Sequence, residues 1–204
     1  MSNIDTSWGY TIIDAEALPD IITEQEFNTY TGGKYAGDTR IPSTISSASL
    51  VLRNHCGWHL TGSLTCKIEW TVTNRGIVRS GRDMLIQLPT RCLTSITSVK
   101  IAGDETTDYT FQTNGLLTIY DVCVSDRRDL IEVEFVSGVT TADAIKEMVA
   151  QMVTFSLAKS YGVTAEAAGG VSITYNSAWT NGSFNSIMDI NAGLLAPYKL
   201  EGVF

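Results

Sequence analysis

The sequence has few features that would support catalysis. It contains no GxSxG nucleophile elbow, no GxxxxGK[ST] phosphate loop and no GxGxxG dinucleotide fingerprint. Paired acids such as Glu132 and Glu134 lie on the polar side of a predicted strand, where exposure to solvent is their ordinary role. We therefore expect no catalytic residues, no enzymatic turnover and no cofactor.

Long apolar segments are also missing. No run approaches the length of a transmembrane helix, so we expect no association with a membrane. Residues 1–20 lack the basic region and the continuous apolar stretch of a secretory signal, so we expect no export by that route. The four cysteines, which have no CxxC spacing, are Cys56, Cys66, Cys92 and Cys123. We interpret them as reduced thiols in a protein made in the cytoplasm.

Basic residues are outnumbered by acidic ones. The chain has 14 Lys and Arg against 22 Asp and Glu, which gives a net charge of −8. This charge argues against a protein that clamps DNA by neutralising its phosphates. It is compatible with a channel wall past which DNA slides, because an acidic wall does not hold the phosphate backbone. Acidity is common among soluble proteins, so the charge permits a channel without requiring one.

The most prominent segment is a predicted long helix over residues 140–162. Thr140 can cap its start, and Gly162 can end it in a left-handed conformation. The helical period places apolar residues over more than half of the circumference, and they include Ile145, Met148, Val149, Met152 and Phe155. A surface this broad is covered on more than one side. We predict that these five residues form a subunit interface, although a central core helix in a monomer fits the pattern equally well.

The rest of the chain divides into helical and strand-rich segments. Two shorter helices are predicted before residue 60, the first with a capping box formed by Thr23 and Glu26. Between residues 60 and 137 the apolar period changes to two, and roughly six strands are predicted. We therefore expect an α+β fold, in which a helical core (1–59 plus 138–204, with terminal arms) carries an inserted antiparallel β-sandwich or barrel-like block at 60–137.

The only two histidines, His55 and His59, raise the question of a metal site. Their spacing, with Cys56 between them and Cys66 nearby, allows a zinc hypothesis. Gly57 breaks the helix that would bring both imidazoles to one side, and no second pair of ligands completes the site. We therefore predict no metal site and interpret the segment as a structural helix end.

Four segments resemble a known family. They are RNHCGWH at residues 53–59, ITSVKIAGDETTDY at residues 96–109, Gly138 before the long helix, and LLAPYK at residues 194–199. Together with the order of helices and strands, they resemble the head–tail connector proteins of tailed bacteriophages, also called adaptor or head-completion proteins. The resemblance covers most of the chain and is weakest at residues 1–20. The β-rich block goes beyond the shorter, mostly helical connectors.

The resemblance implies a structural virion protein of the phage neck. Such connectors form a homo-oligomeric ring, typically a dodecamer, beneath the portal protein. The ring prolongs the DNA channel, through whose lumen DNA passes without specific binding, and offers a docking surface to the tail or a tail-terminator protein. On this basis the 1–59 plus 138–204 segments are a helical connector domain.

The C-terminal segment is the predicted portal-docking arm. Its apolar residues lie at a chain end where Pro197 and Gly202 prevent a continuous helix. The residues predicted to dock are Leu195, Tyr198, Leu200, Val203 and Phe204. The same segment could instead pack on its own domain, and the resembled family, which attaches through its termini, favours docking. If this segment is not the arm, residues 1–20 become the candidate.

A different function was also considered for the β-rich block, as a binding module that recognises a carbohydrate or a host protein. Such a module would need an exposed aromatic platform. Trp70 falls on the apolar face of its predicted strand, whereas Trp179, in a Gly-rich segment, is the better candidate.

Overall fold

The computed structural model describes residues 3–71, 77–122, 130–158, 165–168, 171–174 and 184–200. By its internal contacts the chain divides into two compact units. The β-rich unit comprises Met1–Pro19, Cys56–Thr141 and Tyr198–Phe204, and the helical unit comprises Asp20–His55 and Ala142–Pro197. None of the helices in the described ranges is long and apolar enough to cross a membrane.

The β-rich unit is built from two antiparallel sheets. Its strands are β1 (Ile4–Asp5), β2 (Thr11–Ile12), β3 (Leu64–Thr71), β4 (Ile77–Ser80), β5 (Asp83–Gln87), β6 (Leu93–Ile101), β7 (Asp104–Glu105), β8 (Tyr109–Phe111), β9 (Leu116–Ile119) and β10 (Leu130–Ser137). The first sheet has six strands in the order β1-β2-β3-β10-β6-β7, and the second has four in the order β4-β5-β9-β8.

Alternation of side chains explains why the two sheets pack together. In β10, Ile131, Val133 and Phe135 are buried, and the residues between them are only half-buried. The same alternation in the other strands brings residues of both sheets into one apolar cluster, which includes Ile12, Cys66, Ile68, Met84, Ile86, Val99, Leu117 and Ile119. The β-rich unit is therefore a two-layer sandwich with a single core.

The long central strand β10 holds the six-stranded sheet together. It pairs along its whole length with β3, from Leu130 opposite Thr71 to Ser137 opposite Leu64. It also pairs with β6, but the register shifts twice, so that Thr97 and Thr94 of β6 are passed over. These irregularities have the form of β-bulges, which bend an edge and make it a poorer template for a further strand.

The helical unit contains five described helices and one described strand pair. The described helices are α1 (Glu24–Tyr30), α2 (Ile41–Cys56), α3 (Asp143–Ala158), α4 (Phe184–Ile190) and α5 (Ala192–Leu195), with a 3-10 helix at Ala196–Tyr198 and a hairpin of β11 (Ala165–Ala168) and β12 (Val171–Thr174). The predicted capping box of α1 is confirmed, since the Glu26 backbone N–H donates to Thr23 Oγ1 and Glu26 Oε2 accepts from the Thr23 backbone. Lys146 on α3 pairs with Glu26 on α1 at 2.6 Å.

The predicted fold class is wrong. We expected a helical core with an inserted strand-rich block. The structure is instead mostly β-sheet, with ten strands in two antiparallel sheets and only a few short helices. Residues 4–12, expected to be part of a helical domain's arm, form β1 and β2, and β2 pairs with β3 in the six-stranded sheet. The physical reason is that strands are completed by partners distant in sequence, which a local period does not reveal.

The predicted domain boundaries concern independent folding of the two parts of the chain. They place 60–137 in one domain and 1–59 plus 138–204 in the other. That division stays a prediction, and its boundaries differ from those of the two compact units described above.

Candidate interaction surfaces

The outer side of the six-stranded sheet is densely charged. We call it the charged face, and it consists of Lys67, Glu69, Lys100, Glu132 and Glu134, all on the side opposite the core. Glu69 and Glu132 lie directly across from each other, and Lys67 Nζ bridges them, at 2.8 Å from Glu69 Oε1 and 2.9 Å from Glu132 Oε2. The hydrogen bond from Lys67 lowers the pKa of the Glu132 carboxyl, and the two carboxylates raise the pKa of Lys67.

The outer side of the four-stranded sheet lacks charge in its central rows. We call this surface the uncharged face, and it consists of Val78, Leu85, Gln87, Thr110, Leu116 and Thr118. Val78, Leu85, Thr118 and Thr110 follow one another directly across the four strands. Val78 is 61% exposed, and Tyr120, whose hydroxyl lies 2.8 Å from Thr110 Oγ1, is 37% exposed. The inner neighbours of these residues form the core, so this face is directed away from it.

The segment Tyr198–Leu200 is attached to the β-rich unit through its backbone. Trp58 Nε1 donates to the Tyr198 carbonyl oxygen at 2.6 Å, and the Leu200 backbone N–H donates to the Cys56 carbonyl oxygen at 2.9 Å. Arg91 Nε donates to the Lys199 carbonyl oxygen at 3.2 Å. Trp58 is fully buried, so its indole N–H is fixed in direction by packing. Three successive residues are thereby anchored.

A buried polar cluster joins the N-terminal strands to the rest of the sheet. His59 Nε2 lies 2.9 Å from the Ser137 carbonyl oxygen, which can only accept, so Nε2 carries the proton. His59 Nδ1 then accepts from the Tyr10 hydroxyl at 2.9 Å, and that hydroxyl oxygen accepts from the His59 backbone N–H. Neutral His59 therefore has a hydrogen-bond partner at each ring nitrogen.

This cluster does not have the form of a zinc site. Both ring nitrogens of His59 are engaged in hydrogen bonds, which leaves no free lone pair for a metal. Cys66 Sγ lies 4.0 Å from His59 Nδ1, and burial raises the pKa of the Cys66 thiol to about 12, so that it stays protonated. Across the described ranges, no three His, Cys, Asp or Glu side chains are grouped to hold a metal.

Comparison with known protein families identifies the family of this chain. Its sequence matches the head completion protein family over residues 20–188, which is most of its length. The chain belongs to this family of bacteriophage structural proteins. No curated protein gives a significant match. The family makes the protein a component of the virion that associates with other virion components, such as the portal or the tail.

The predicted subunit-interface residues of this head completion protein lie on α3. Their exposed fractions are 0% for Ile145, 2% for Met148, 0% for Val149, 0% for Met152 and 8% for Phe155. The breadth of apolar surface on α3 is thus already covered within one chain, as the monomer interpretation of the sequence allowed. A neighbouring copy could reach these side chains only if α3 were first uncovered, so their role as a subunit interface stays a prediction.

The predicted portal-docking residues are distributed over different environments. Leu195 is buried, whereas Tyr198 and Leu200 are half-buried and belong to the anchored segment. Val203 and Phe204 lie outside the described residues. The segment 198–200 therefore packs on its own unit, which the sequence left open as the alternative to docking.

The aromatic platform that a carbohydrate- or protein-binding module would need finds no support among the described residues. Trp70 is 8% exposed and belongs to the shared core, so it offers no platform. Trp179 lies outside the described residues. No described residue favours this alternative over the function of the family.

Sequence reasoning missed the uncharged face. The signal was present, because β4, β5 and β9 read IVRS, DMLIQ and LLTI, with apolar residues at successive positions and not only at alternate ones. Apolar residues at successive positions are the pattern expected of strands that are covered on both faces.

Proposed function

We propose that this head completion protein forms a ring beneath the portal in the phage neck. In this role it prolongs the DNA channel and provides a surface on which the tail docks. The match to the head completion protein family over residues 20–188 carries the proposal. Closed rings need two different, complementary patches on each subunit.

The acidity of the chain supports passage of DNA without specific binding. A lumen contributed by copies of net charge −8 would not neutralise phosphates. We expect no retardation of duplex DNA in electrophoresis at physiological salt by the assembled ring. Retardation that weakens steeply with added salt would indicate phosphate binding and contradict this part of the proposal.

The ring itself is tested with the full chain and purified portal protein. Native mass spectrometry of the mixture should show several copies of the chain on each portal oligomer, and electron microscopy of virions should place them in the neck. The free subunit can remain monomeric if the portal templates assembly. A single copy bound per portal, or a location outside the neck, would contradict the proposed ring.

We also propose the C-terminal residues as the contact with the portal. The anchors on Tyr198, Lys199 and Leu200 support this, because any contact made beyond Leu200 would begin from a fixed point on the β-rich unit. A preordered starting point lowers the entropy cost of binding. The contact would include Val203 and Phe204 and depend little on salt, because only Lys199 and Glu201 are charged after residue 197.

Two truncations separate docking from folding. Deleting residues 201–204 keeps all three anchors and should abolish portal attachment while leaving the thermal unfolding temperature unchanged. Deleting residues 198–204 also removes the partners of Trp58 and Arg91, so it should lower stability as well. If the shorter deletion binds the portal with unchanged affinity, the contact lies elsewhere, and residues 1–20 become the candidate.

A further inference from the structure

The hairpin of β11 and β12 forms a sheet of its own in the helical unit. Its strands pair in one register, from Ala165 opposite Thr174 to Ala168 opposite Val171. No described strand pairs with the outer side of either one. A hairpin of two strands is at best marginally stable in water, and three or more strands are needed for independent stability. Unpaired backbone groups on an outer strand are a template for pairing with another chain.

The edges of this hairpin lack the features that protect other edges. Natural proteins protect an exposed edge with a very short strand, with lysine or proline, or with a bulge. In the six-stranded sheet, the edge strands β1 and β7 have two residues each, and β7 consists of Asp104 and Glu105. In the hairpin, each strand has four residues, the register is regular, and Glu166 is the only charged residue. Such edges favour strand addition.

We propose that the hairpins of neighbouring copies of this chain pair side by side, β12 of one copy with β11 of the next, into a continuous sheet around the ring. This inference rests on the proposed ring and names a contact for it. The strands are antiparallel within one copy, and rotation relates the copies of a ring, so β12 of one copy and β11 of the next also run antiparallel. The contact joins two different edges, as a closed ring requires.

The presence of two unprotected edges indicates that the occupant is a second copy. A single strand of another protein would cover one outer side of the hairpin and leave the other exposed. In a ring, each hairpin gives one side to each of its neighbours, so both sides are covered. Rotation brings the last copy back to the first, and closure is the arrangement that removes sheet edges altogether.

The first test removes one backbone donor from the full-length protein. Two residues separate Ala168 from Val171, and residues that flank such a connection share a backbone hydrogen bond. Hydrogen-bonded pairs alternate along the ladder, so the Ala167 N–H is directed to the outer side of β11. Ala167→Pro should raise the concentration for half-maximal ring assembly on the portal about tenfold or more, because proline cannot donate to a ladder.

Ala167→Val is the matched control, because it changes the same side chain and keeps the backbone N–H. Its assembly should match that of the wild type. Both variants should keep the wild-type thermal unfolding temperature, since the bonds between β11 and β12 do not use this N–H.

A cross-linking test identifies which strands meet. Ala167→Cys and Ser172→Cys are made as separate variants, mixed, assembled on the portal and oxidised. Ala167 and Ser172 lie opposite each other, so rotation leaves Ala167 of one copy level with Ser172 of the next. Disulfide-linked dimers should form in the mixture and not from either variant alone. Wild-type protein oxidised in parallel gives the background from the native cysteines.

Each outcome supports or overturns the inference. Normal assembly of Ala167→Pro, or a mixture without dimers, would overturn it and leave the proposed ring standing. Dimers from Ala167→Cys alone would indicate that β11 meets β11, which also overturns it. Normal rings of Ala167→Pro that fail to attach a tail would assign the edge to a tail strand instead. If the wild type puts only one copy on each portal, the proposed function fails, and the inference fails with it.

Discussion

The two sheets of the β-rich unit share one core but differ on their outer sides. The six-stranded sheet presents Lys67, Glu69, Glu132 and other charged side chains. The four-stranded sheet presents Val78, Leu85, Leu116 and hydroxyl or amide side chains, and its one carboxyl group among these paired positions, Asp83, lies at the end of β5. Core packing constrains the inner residues of both sheets alike. The outer residues are constrained only by the solvent or the partner that covers each sheet. The difference in charge between the two outer sides is therefore informative about partners.

Truncations in the shared core should have the largest effect. Phe135→Ala in the six-stranded sheet should lower the free energy of unfolding by about 3–5 kcal/mol, and Met84→Ala in the four-stranded sheet by about 2–5 kcal/mol, because each leaves a cavity in a fully buried site. Urea unfolding followed by hydrogen exchange in both sheets measures this. If Met84→Ala loosens only the four-stranded sheet, the sheets do not form one cooperative core.

A second test compares the hairpin glycines of the two sheets. Gly115 and Gly103 both have a positive φ, +90° and +93°. A Cβ at Gly115 would lie 2.5 Å from the Thr90 carbonyl oxygen, whereas a Cβ at Gly103 would meet nothing within 4 Å. Gly103→Ala should therefore cost about 1–2 kcal/mol of backbone strain, and Gly115→Ala that amount plus about 1–3 kcal/mol of overpacking. Equal shifts in thermal denaturation would contradict the difference in packing.

A third test concerns the strands that residues 1–19 add to the six-stranded sheet alone. Tyr10→Phe removes the hydroxyl that serves His59 at both Nδ1 and the backbone N–H. The free energy of unfolding should fall by about 1–3 kcal/mol, since buried polar atoms lose a partner. Hydrogen exchange should rise in β1 and β2 and remain unchanged in β5 and β9. Unchanged exchange in β2 would show that other contacts hold these strands.

The smallest effect expected is a pH dependence confined to the charged face. The Lys67 ammonium holds the pKa of the Glu132 carboxyl below its ordinary value. A carboxyl group of this kind stabilises the fold above its unfolded-state pKa, about 4.3, and that contribution is lost as the pH falls through the folded-state pKa. The contribution should be at most about 1 kcal/mol, because both side chains are partly exposed.

Urea unfolding between pH 7 and pH 3 would detect it. Glu132→Gln should flatten the dependence, whereas Thr118→Val on the uncharged face should leave its slope unchanged. A wild-type slope retained in Glu132→Gln would assign the effect to other carboxyl groups.

Local patterns predicted many individual elements. Alternation over residues 64–72 predicted a strand where β3 lies, and the capping box of Thr23 and Glu26 marked the start of α1. The pair Asn114-Gly115, which favours a tight hairpin turn, lies in the connection between β8 and β9. Each of these signals lies within a few residues of the structure it specifies, so no knowledge of distant partners was needed.

Other elements left no usable local signal. Strands β1 and β2 have two residues each, too few to show a period, and they exist because β2 finds an edge of β3 more than fifty residues later. The apolar breadth of α3 was read correctly, but the pattern could not say whether the same chain or a neighbour covers it. The uncharged face likewise becomes visible only when β4, β5, β9 and β8 are aligned in register.

The sequence by itself determined the acidity of the chain, the start of α1, the alternation in its strands and its resemblance to phage connectors, since these are properties of composition and short-range order. The tertiary structure alone decided that the β-sheets are the larger part of the fold, that α3 is covered within its own chain, and that Tyr198–Leu200 is anchored near Trp58. Those outcomes depend on contacts between residues far apart in sequence, whose pairing is fixed by the packing of the whole unit.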